Sequence, residues 1–177
     1  LAAHKVGEQG RVGGIDFAPE MIGRAKQAVA EAGLQDKDIE LRVADMEETQ
    51  LPDSFADVVI SNCVINLCPD KEAVYNKAFR ILRFGGRLAI SDIVLTVEID
   101  SEVQAGFQSK FSGCLGGAIP EDDNWQAMRK AGFAEIRIVA HHILTPEELK
   151  TMACCPGEEF MLPPSKKDLL FLEGKVA

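Results

Sequence analysis

The amino-acid sequence predicts an α/β fold with a mostly parallel, doubly wound sheet. Short apolar runs typical of buried strands alternate along the chain with longer segments of helical periodicity. Strands and helices that alternate at this spacing imply a parallel sheet with helices on both of its faces. The 177 residues, 46% of them hydrophobic and 27% charged, are enough to bury one core, so we expect a single domain over residues 1–177.

The composition argues against several classes of partner. The formal net charge is −9 and no run of lysine or arginine offers a footprint for phosphates, so we expect no nucleic-acid partner and no membrane partner. The apolar runs are also far too short to span a bilayer. Five cysteines are too few and too scattered for a secreted disulfide framework, which favours a reducing cytosol and therefore a cytoplasmic protein.

The first 50 residues have the pattern strand, helix, strand. A helix end at 1–6, a strand at 11–16, a helix at 19–33 and a strand at 39–43 follow one another. Pro19 suits the first helical turn, and Gly33 ends the helix. The two strands end at Asp16 and just before Asp45, so each has a carboxylate at its carboxyl end. Because the chain opens inside a helix, we expect the polypeptide to continue upstream of Leu1.

The remaining residues alternate in the same way. Strands are predicted at 57–61, 87–94, 133–142 and 168–173, and helices at 70–84, 100–112, 121–131 and 146–152. Glycines end two of these helices, Gly85-Gly86 the first and Gly132 the third. The last strand is compatible with an antiparallel pairing to the strand before it. Residues 143–167 are expected to be a largely irregular loop region.

The most informative stretch is Ser-Asn-Cys-Val-Ile-Asn-Leu-Cys-Pro at residues 61–69, which begins where an apolar strand ends. In an open α/β sheet, ligands bind in the crevice beyond the carboxyl ends of the strands. Asn62, Cys63 and Asn66 therefore lie where chemistry is expected, although the two amides would equally serve to satisfy loop backbone. Asp92, toward the end of the next strand, would point to the same crevice, but carboxylates at strand ends are common.

Three local features resemble class I S-adenosylmethionine-dependent methyltransferases, which have a Rossmann-like fold. They are Gly14-Ile-Asp16 at the end of one strand, Ala44-Asp45-Met46 at the end of the next, and Leu-Pro-Asp-Ser-Phe-Ala-Asp-Val-Val-Ile at residues 51–60. The resemblance implies that Asp16 binds the ribose hydroxyls, because a carboxylate accepts two hydrogen bonds from a diol, and that the Asp45 segment meets the adenine amino group. The cofactor-binding residues that it implies are Asp16, Phe17, Met21, Asp45, Met46 and Asn62.

Two cysteine motifs carry a closer resemblance, to arsenite methyltransferases. Ser-Asn-Cys63-Val-Ile-Asn-Leu is similar to the signature after that family's fourth strand, and Gly-Cys114-Leu-Gly-Gly-Ala is similar to its second cysteine motif. The resemblance implies that Cys63 and Cys114 are catalytic and bind trivalent arsenic, with a third thiol from the family's N-terminal region. The family's first strand and glycine-rich loop have no counterpart in this sequence, so we expect the domain to be incomplete at its N-terminus.

Thiol chemistry suits this resemblance, since trivalent arsenic is a soft centre and soft centres prefer thiolates. The implied reaction is methyl transfer from S-adenosylmethionine to arsenite or thiol-bound arsenite, with a thiol reductant as a further partner. The lack of a first strand would expose a strand edge, which makes a homodimer an expectation as well.

Two other functions stay open. The first is methyl transfer to another small molecule, such as a quinone precursor. In that case Cys63 and Cys114 are incidental, since cysteines often merely pack in a core. The second is a non-catalytic protein that binds metalloids. The adjacent pair Cys154-Cys155 either relays a soft metal or belongs to an ordinary loop.

Overall fold

The computed structural model describes residues 1–96, 113, 116–144 and 167–176. The predicted helices at 100–112 and 146–152 lie outside these residues, as do Cys114 and the pair Cys154-Cys155. Contacts between residues divide the chain into two compact units, Leu1–Gln50 and Leu51–Ala177. No helix in the described part of the chain is long and apolar enough to cross a membrane.

The first unit is a strand–helix–strand motif preceded by a short helix. Its elements are α1 (Ala2–Lys5), β1 (Arg11–Asp16), α2 (Pro19–Glu31) and β2 (Asp38–Val43). The two strands pair in parallel, with Arg11 opposite Asp38 and Asp16 opposite Val43. Helix α2 starts with a proline in its first turn and contacts both strands, and its Ile22 is buried. The predicted order of strand, helix and strand is confirmed.

The second unit contains a four-stranded sheet. Its elements are β3 (Ala56–Asn62), a 3₁₀ turn (Ile65–Leu67), α3 (Lys71–Ile81), β4 (Leu82–Leu95), α4 (Glu121–Ala131), β5 (Phe133–Leu144) and β6 (Lys167–Val176). The strand order is β3-β4-β6-β5. Strand β3 pairs with β4 in parallel, whereas β6 is antiparallel to both β4 and β5. Three strands of this sheet therefore run in one direction and β6 opposes them, which confirms the α/β class and the antiparallel pairing of the last strand.

The predicted boundary between α3 and β4 is wrong. The helix ends at Ile81, before the predicted residue 84, and the strand begins at once with Leu82. Leu82 is buried and pairs with Ala56 of β3, and the register of the two strands shifts just after this pair. Gly85, with a φ of 75°, allows this irregularity because it has no Cβ. The glycine pair thus distorts a strand and does not stop the helix.

Three residues of the range predicted to be irregular, 143–167, belong to strands at its two ends. Strand β5 continues to Leu144 and β6 begins at Lys167. The extension arises because Ile143 and Leu144 pair with Asp168 and Lys167 in the antiparallel ladder, which local sequence does not reveal. The residues between these two strands lie outside the described ranges.

The core of the second unit includes α3, α4 and β4. The last four residues of β4 are all buried, up to Leu95. The two helices meet through Tyr75, which is 1% exposed and donates a hydrogen bond from its hydroxyl to Asn124 Oδ1 over 2.7 Å. Helix α4 ends at Ala131, and Gly132, with a φ of 112°, caps it in the left-handed conformation. The carboxyl-terminal part of β4 borders the candidate site, since the oxygen of Ser91 accepts the Cys63 N–H.

Candidate functional site

In the first unit, the carboxyl ends of β1 and β2 bring two predicted cofactor carboxylates to one edge. The Ala44 N–H donates to the main-chain oxygen of Asp16 over 3.0 Å, which ties the two strand ends together. The Asp16 side chain is half-buried, and its Oδ1 accepts the Ala18 N–H over 2.9 Å. Asp45 is exposed, and its Oδ1 accepts the Glu47 N–H over 2.8 Å. Local turns therefore orient both carboxylates.

Apolar side chains accompany these carboxylates. Phe17 directly follows Asp16 and is 61% exposed, and Met21, near the start of α2, is 47% exposed. Met46 directly follows Asp45 and is half-buried. Apolar surface beside a few polar groups is typical of small-molecule sites. This edge of the unit therefore combines apolar side chains with two carboxylates.

In the second unit, Cys63 directly follows the last residue of β3, as predicted. Its N–H donates to the main-chain oxygen of Ser91 in β4 over 2.7 Å, and its side chain is half-buried. The φ of Cys63 is 54°, in the left-handed region that residues with a Cβ usually avoid. Such a conformation costs on the order of 1–3 kcal/mol and persists only where the surroundings hold it. The preceding Asn62, also a predicted site residue, is exposed and lies opposite Ser91.

Asn66 joins the turn after Cys63 to the neighbouring strand β4 by two hydrogen bonds. Its main-chain N–H donates to Asp92 Oδ2 over 3.2 Å, and its side-chain Nδ2 donates to the main-chain oxygen of Ile93 over 2.7 Å. The residue is 5% exposed. The Asn66 side chain therefore satisfies a main-chain oxygen, as the alternative interpretation of this amide predicts, although that oxygen belongs to β4 and not to the loop.

Asp92 is a buried carboxylate. The sequence indicates its burial only by placing this charged residue inside the apolar run of β4. It is 6% exposed, and its Oδ1 accepts the N–H of Ile93 over 3.0 Å. Burial raises the pKa of Asp92 to about 6, although the N–H groups of Ile93 and Asn66 and the charge of Lys71 act to lower it. Burial, and then the charge of Asp92, also raise the pKa of Tyr75.

Cys114, the second predicted arsenic ligand, lies outside the described residues, but residues on either side of it are described. The Gly117 N–H donates to the Gly113 oxygen over 3.2 Å. Gly117 packs so closely on the main-chain oxygen of Asn66 that a Cβ at this position would lie 1.8 Å from that oxygen. A Cβ at Gly113 would lie 3.9 Å from the Leu67 side chain. These two glycines of the second cysteine motif therefore both border the turn after β3.

The structure thus places the predicted site residues in two groups, one in each unit. Five of them belong to the first unit, namely Asp16, Phe17, Met21, Asp45 and Met46, whereas Asn62 and Cys63 belong to the second. Across the described ranges, no three or more histidine, cysteine, aspartate or glutamate side chains form a group suited to a metal ion. The ligand-binding roles of the individual residues stay predictions.

The chain is similar in sequence to known methyltransferases. Residues 1–152 match the family described as a methyltransferase domain. The chain is 41% identical over 138 residues to the arsenite methyltransferase of Halobacterium salinarum and 34% identical over 149 residues to that of Mus musculus. These matches cover 78% and 80% of this chain but 34% and 39% of those proteins. The chain therefore spans less than half the length of these relatives, and its predicted resemblance to arsenite methyltransferases is confirmed.

Solved structures agree on the fold. CrArsM, an arsenic(III) S-adenosylmethionine methyltransferase from Chlamydomonas reinhardtii, matches with a TM-score of 0.81 at 28% identity, over 97% of this chain and 57% of that chain. The YcgJ protein of Bacillus subtilis matches with a TM-score of 0.69 at 15% identity, over 94% of this chain and 82% of that chain. The second likeness shows the fold alone. Together they confirm the predicted Rossmann-like class I methyltransferase fold.

Proposed function

Because this chain belongs to the methyltransferase domain family, we propose that it transfers a methyl group from S-adenosylmethionine to trivalent arsenic held by cysteine thiolates. The observation that carries the proposal is the half-buried Cys63 thiol, which follows the carboxyl end of β3 in a left-handed conformation. Relatives named arsenite methyltransferase match most of the chain, which supports arsenite as the substrate.

We assign the first unit to the adenosyl part of S-adenosylmethionine. Within the described residues, the Asp16 carboxylate has its hydrogen bond on Oδ1, so Oδ2 retains acceptor capacity for a ribose diol. Asp45 lies at the same edge of the unit, and we assign it to the adenine amino group. The other residues that we assign to the cofactor are Phe17, Met21, Met46 and Asn62.

Cysteines supply the arsenic site. Thiolates bind trivalent arsenic because it is a soft centre, and the bound arsenic keeps its lone pair. When bound, S-adenosylmethionine would supply its sulfonium methyl group. The arsenic lone pair would form the C–As bond as the C–S bond breaks and S-adenosylhomocysteine leaves, and the thiol reductant would return the arsenic, formally oxidised to As(V), to As(III). No general base is needed once the thiols have lost their protons, and the chain therefore acts mainly by positioning. Cys63 is one arsenic ligand, and Cys114 is the second that we propose.

We take both units as one methyltransferase domain over residues 1–177, which is supported by a family match that runs through both of them. A thiol reductant keeps the cysteines reduced, and we place the protein in the cytoplasm, where thiols persist. The homodimer stays a prediction, and light scattering at several protein concentrations tests it.

A second candidate function is methyl transfer to another small molecule, such as a quinone precursor. The demethylmenaquinone methyltransferase of Listeria monocytogenes is 32% identical to this chain over 92 residues, which is 52% of the chain. The arsenite methyltransferases match a larger share of the chain, at 78% and 80%. Arsenite is therefore the substrate that we favour.

The test is arsenite binding to the reduced chain, followed by the fluorescence of Trp125, in the wild type and in Cys63→Ser and Cys114→Ser. We expect each substitution to weaken binding by roughly tenfold or more, because two thiols on one arsenic act as a chelate. Cys68→Ser is the matched control, since Cys68 is also half-buried and lies in the same loop as Cys63. Mass spectrometry of methylated arsenic products then distinguishes an enzyme from a non-catalytic metalloid-binding protein. Binding that survives both substitutions would overturn the proposal and favour the quinone-type substrate.

A further inference from the structure

The turn after β3 is fixed at both ends by three consecutive residues of β4. At its start, the Cys63 N–H donates to the oxygen of Ser91 over 2.7 Å. At its end, Asn66 donates from its main chain to Asp92 over 3.2 Å and from its side chain to the Ile93 oxygen over 2.7 Å. The neighbouring strand therefore determines the path of this turn.

The conformation of Cys63 also requires such support. Its φ of 54° favours glycine, so the residue itself does not stabilise the turn, and the contacts around it must do so. Asn66 and Asp92 are 5% and 6% exposed, so water cannot readily replace their hydrogen bonds. The direction of the thiol thus depends on hydrogen bonds that join the cysteine motif to β4.

We propose that Asn66 and Asp92 are positioning residues for the Cys63 thiol and hold it in the conformation that binds arsenic. This inference rests on the proposed function. Neither side chain needs to touch the substrate, because each acts through the backbone of the turn. Gly117 of the second cysteine motif packs against the main-chain oxygen of Asn66, so the same residue also borders that motif.

A purely structural role for Asn66 would have different consequences. Asn124 is an equally buried amide in the same unit, 4% exposed, and it accepts the hydroxyl of Tyr75 in the contact between α3 and α4. Replacing either asparagine by alanine removes a buried hydrogen bond, so both changes should lower the melting temperature. Of these two asparagines, Asn66 is the one that holds the cysteine turn against β4. We therefore expect Asn66→Ala, and not Asn124→Ala, to change arsenite binding.

The experiment measures arsenite affinity of the full reduced chain in the wild type, Asn66→Ala, Asp92→Asn and Asn124→Ala. Circular dichroism sets a temperature at which every variant is folded. We expect Asn66→Ala and Asp92→Asn to weaken binding about tenfold, and Asn124→Ala to leave it within about twofold. In a Cys63→Ser background, Asn66→Ala should cause no further loss, because the thiol through which it acts is gone.

Equal affinities of Asn66→Ala and Asn124→Ala would overturn the inference and leave the arsenic site in place. An Asn66→Ala effect that persists in the Cys63→Ser background would overturn it too. If Cys63→Ser binds arsenite as the wild type does, the proposed function itself has failed, and the inference falls with it. Should Asn66→Ala not fold, Asp92→Asn decides the question, since it keeps the volume of the side chain and removes an acceptor.

Discussion

The side-chain amide of Asn66 donates to the main-chain oxygen of Ile93 over 2.7 Å, and this joins the turn after one strand to the neighbouring strand. The bond is buried and connects residues 27 positions apart in the chain. The shape of the cysteine turn therefore depends on β4 as well as on the turn's own residues. Substitutions at this point should change the stability of the fold and the geometry of the Cys63 thiol together.

At position 63, glycine should be more stable than alanine, the reverse of the usual order. A φ of 54° costs a residue with a Cβ about 1–2 kcal/mol, and glycine avoids this cost. We expect the free energy of unfolding of Cys63→Gly to exceed that of Cys63→Ala by about 1 kcal/mol in urea titrations, while both weaken arsenite binding as Cys63→Ser does. Ser54, with a φ of 53°, is the control: Ser54→Gly should also exceed Ser54→Ala but keep arsenite binding. Alanine as stable as glycine at position 63 would contradict the left-handed conformation.

The buried carboxyl of Asp92 should make the protein less stable as the pH rises. Its pKa is raised from 3.8 to about 6, so the folded state binds this proton more tightly than the unfolded state does. The stabilisation is complete below about pH 4 and is lost as the pH rises through about 6. The difference in free energy of unfolding between wild type and Asp92→Asn should therefore fall by about 2–3 kcal/mol from pH 4 to pH 7. A difference that is constant over this range would show that the carboxyl is not buried.

Replacement of Asp16 should weaken the binding of the cofactor. Asp16→Asn keeps the shape of the side chain but loses charge-assisted hydrogen bonds to a diol, each worth about 1.5–3 kcal/mol, so we expect roughly tenfold to hundredfold weaker binding of S-adenosylhomocysteine by calorimetry. Asp38→Asn is the matched control, because Asp38 lies at the opposite end of the same strand pair. If the two variants bound S-adenosylhomocysteine equally well, Asp16 would not be a cofactor-binding residue.

Gly117→Ala should disturb the contact between the second cysteine motif and the turn after β3. A Cβ there would lie 1.8 Å from the oxygen of Asn66, so one of the two backbones must move. We expect a loss of about 1–3 kcal/mol in stability by calorimetry, together with weaker arsenite binding. Gly23→Ala is the control: Gly23 is exposed in α2 with no atom within 4 Å of a Cβ, so alanine should stabilise the helix and leave binding unchanged. Unchanged arsenite binding in Gly117→Ala would show that this contact does not affect the arsenic site.

Local patterns predicted many of the elements well. Strand β1 (Arg11–Asp16) and helix α4 (Glu121–Ala131) have the predicted bounds. In both cases the signals are local, since short apolar runs, helical periodicity and glycine ends are properties of neighbouring residues. The α3–β4 boundary was wrong because Leu82 continues into a strand through its pairing with Ala56, which lies far away in the chain.

By itself, the sequence determined that Cys63 follows a strand, that Asp16 ends one strand and Asp45 follows another, and that the chain resembles arsenite methyltransferases. The predicted burial of the strand before Cys63 is wrong, since Val58 and Ile60 of β3 are 52% and 71% exposed. Only the tertiary structure decided the left-handed conformation of Cys63, the burial of Asp92 and the bond from Asn66 to β4. The physical reason is how far apart in the chain the interacting residues lie. A strand end depends on adjacent residues, whereas a strained turn and a buried charge exist only where distant segments pack around them.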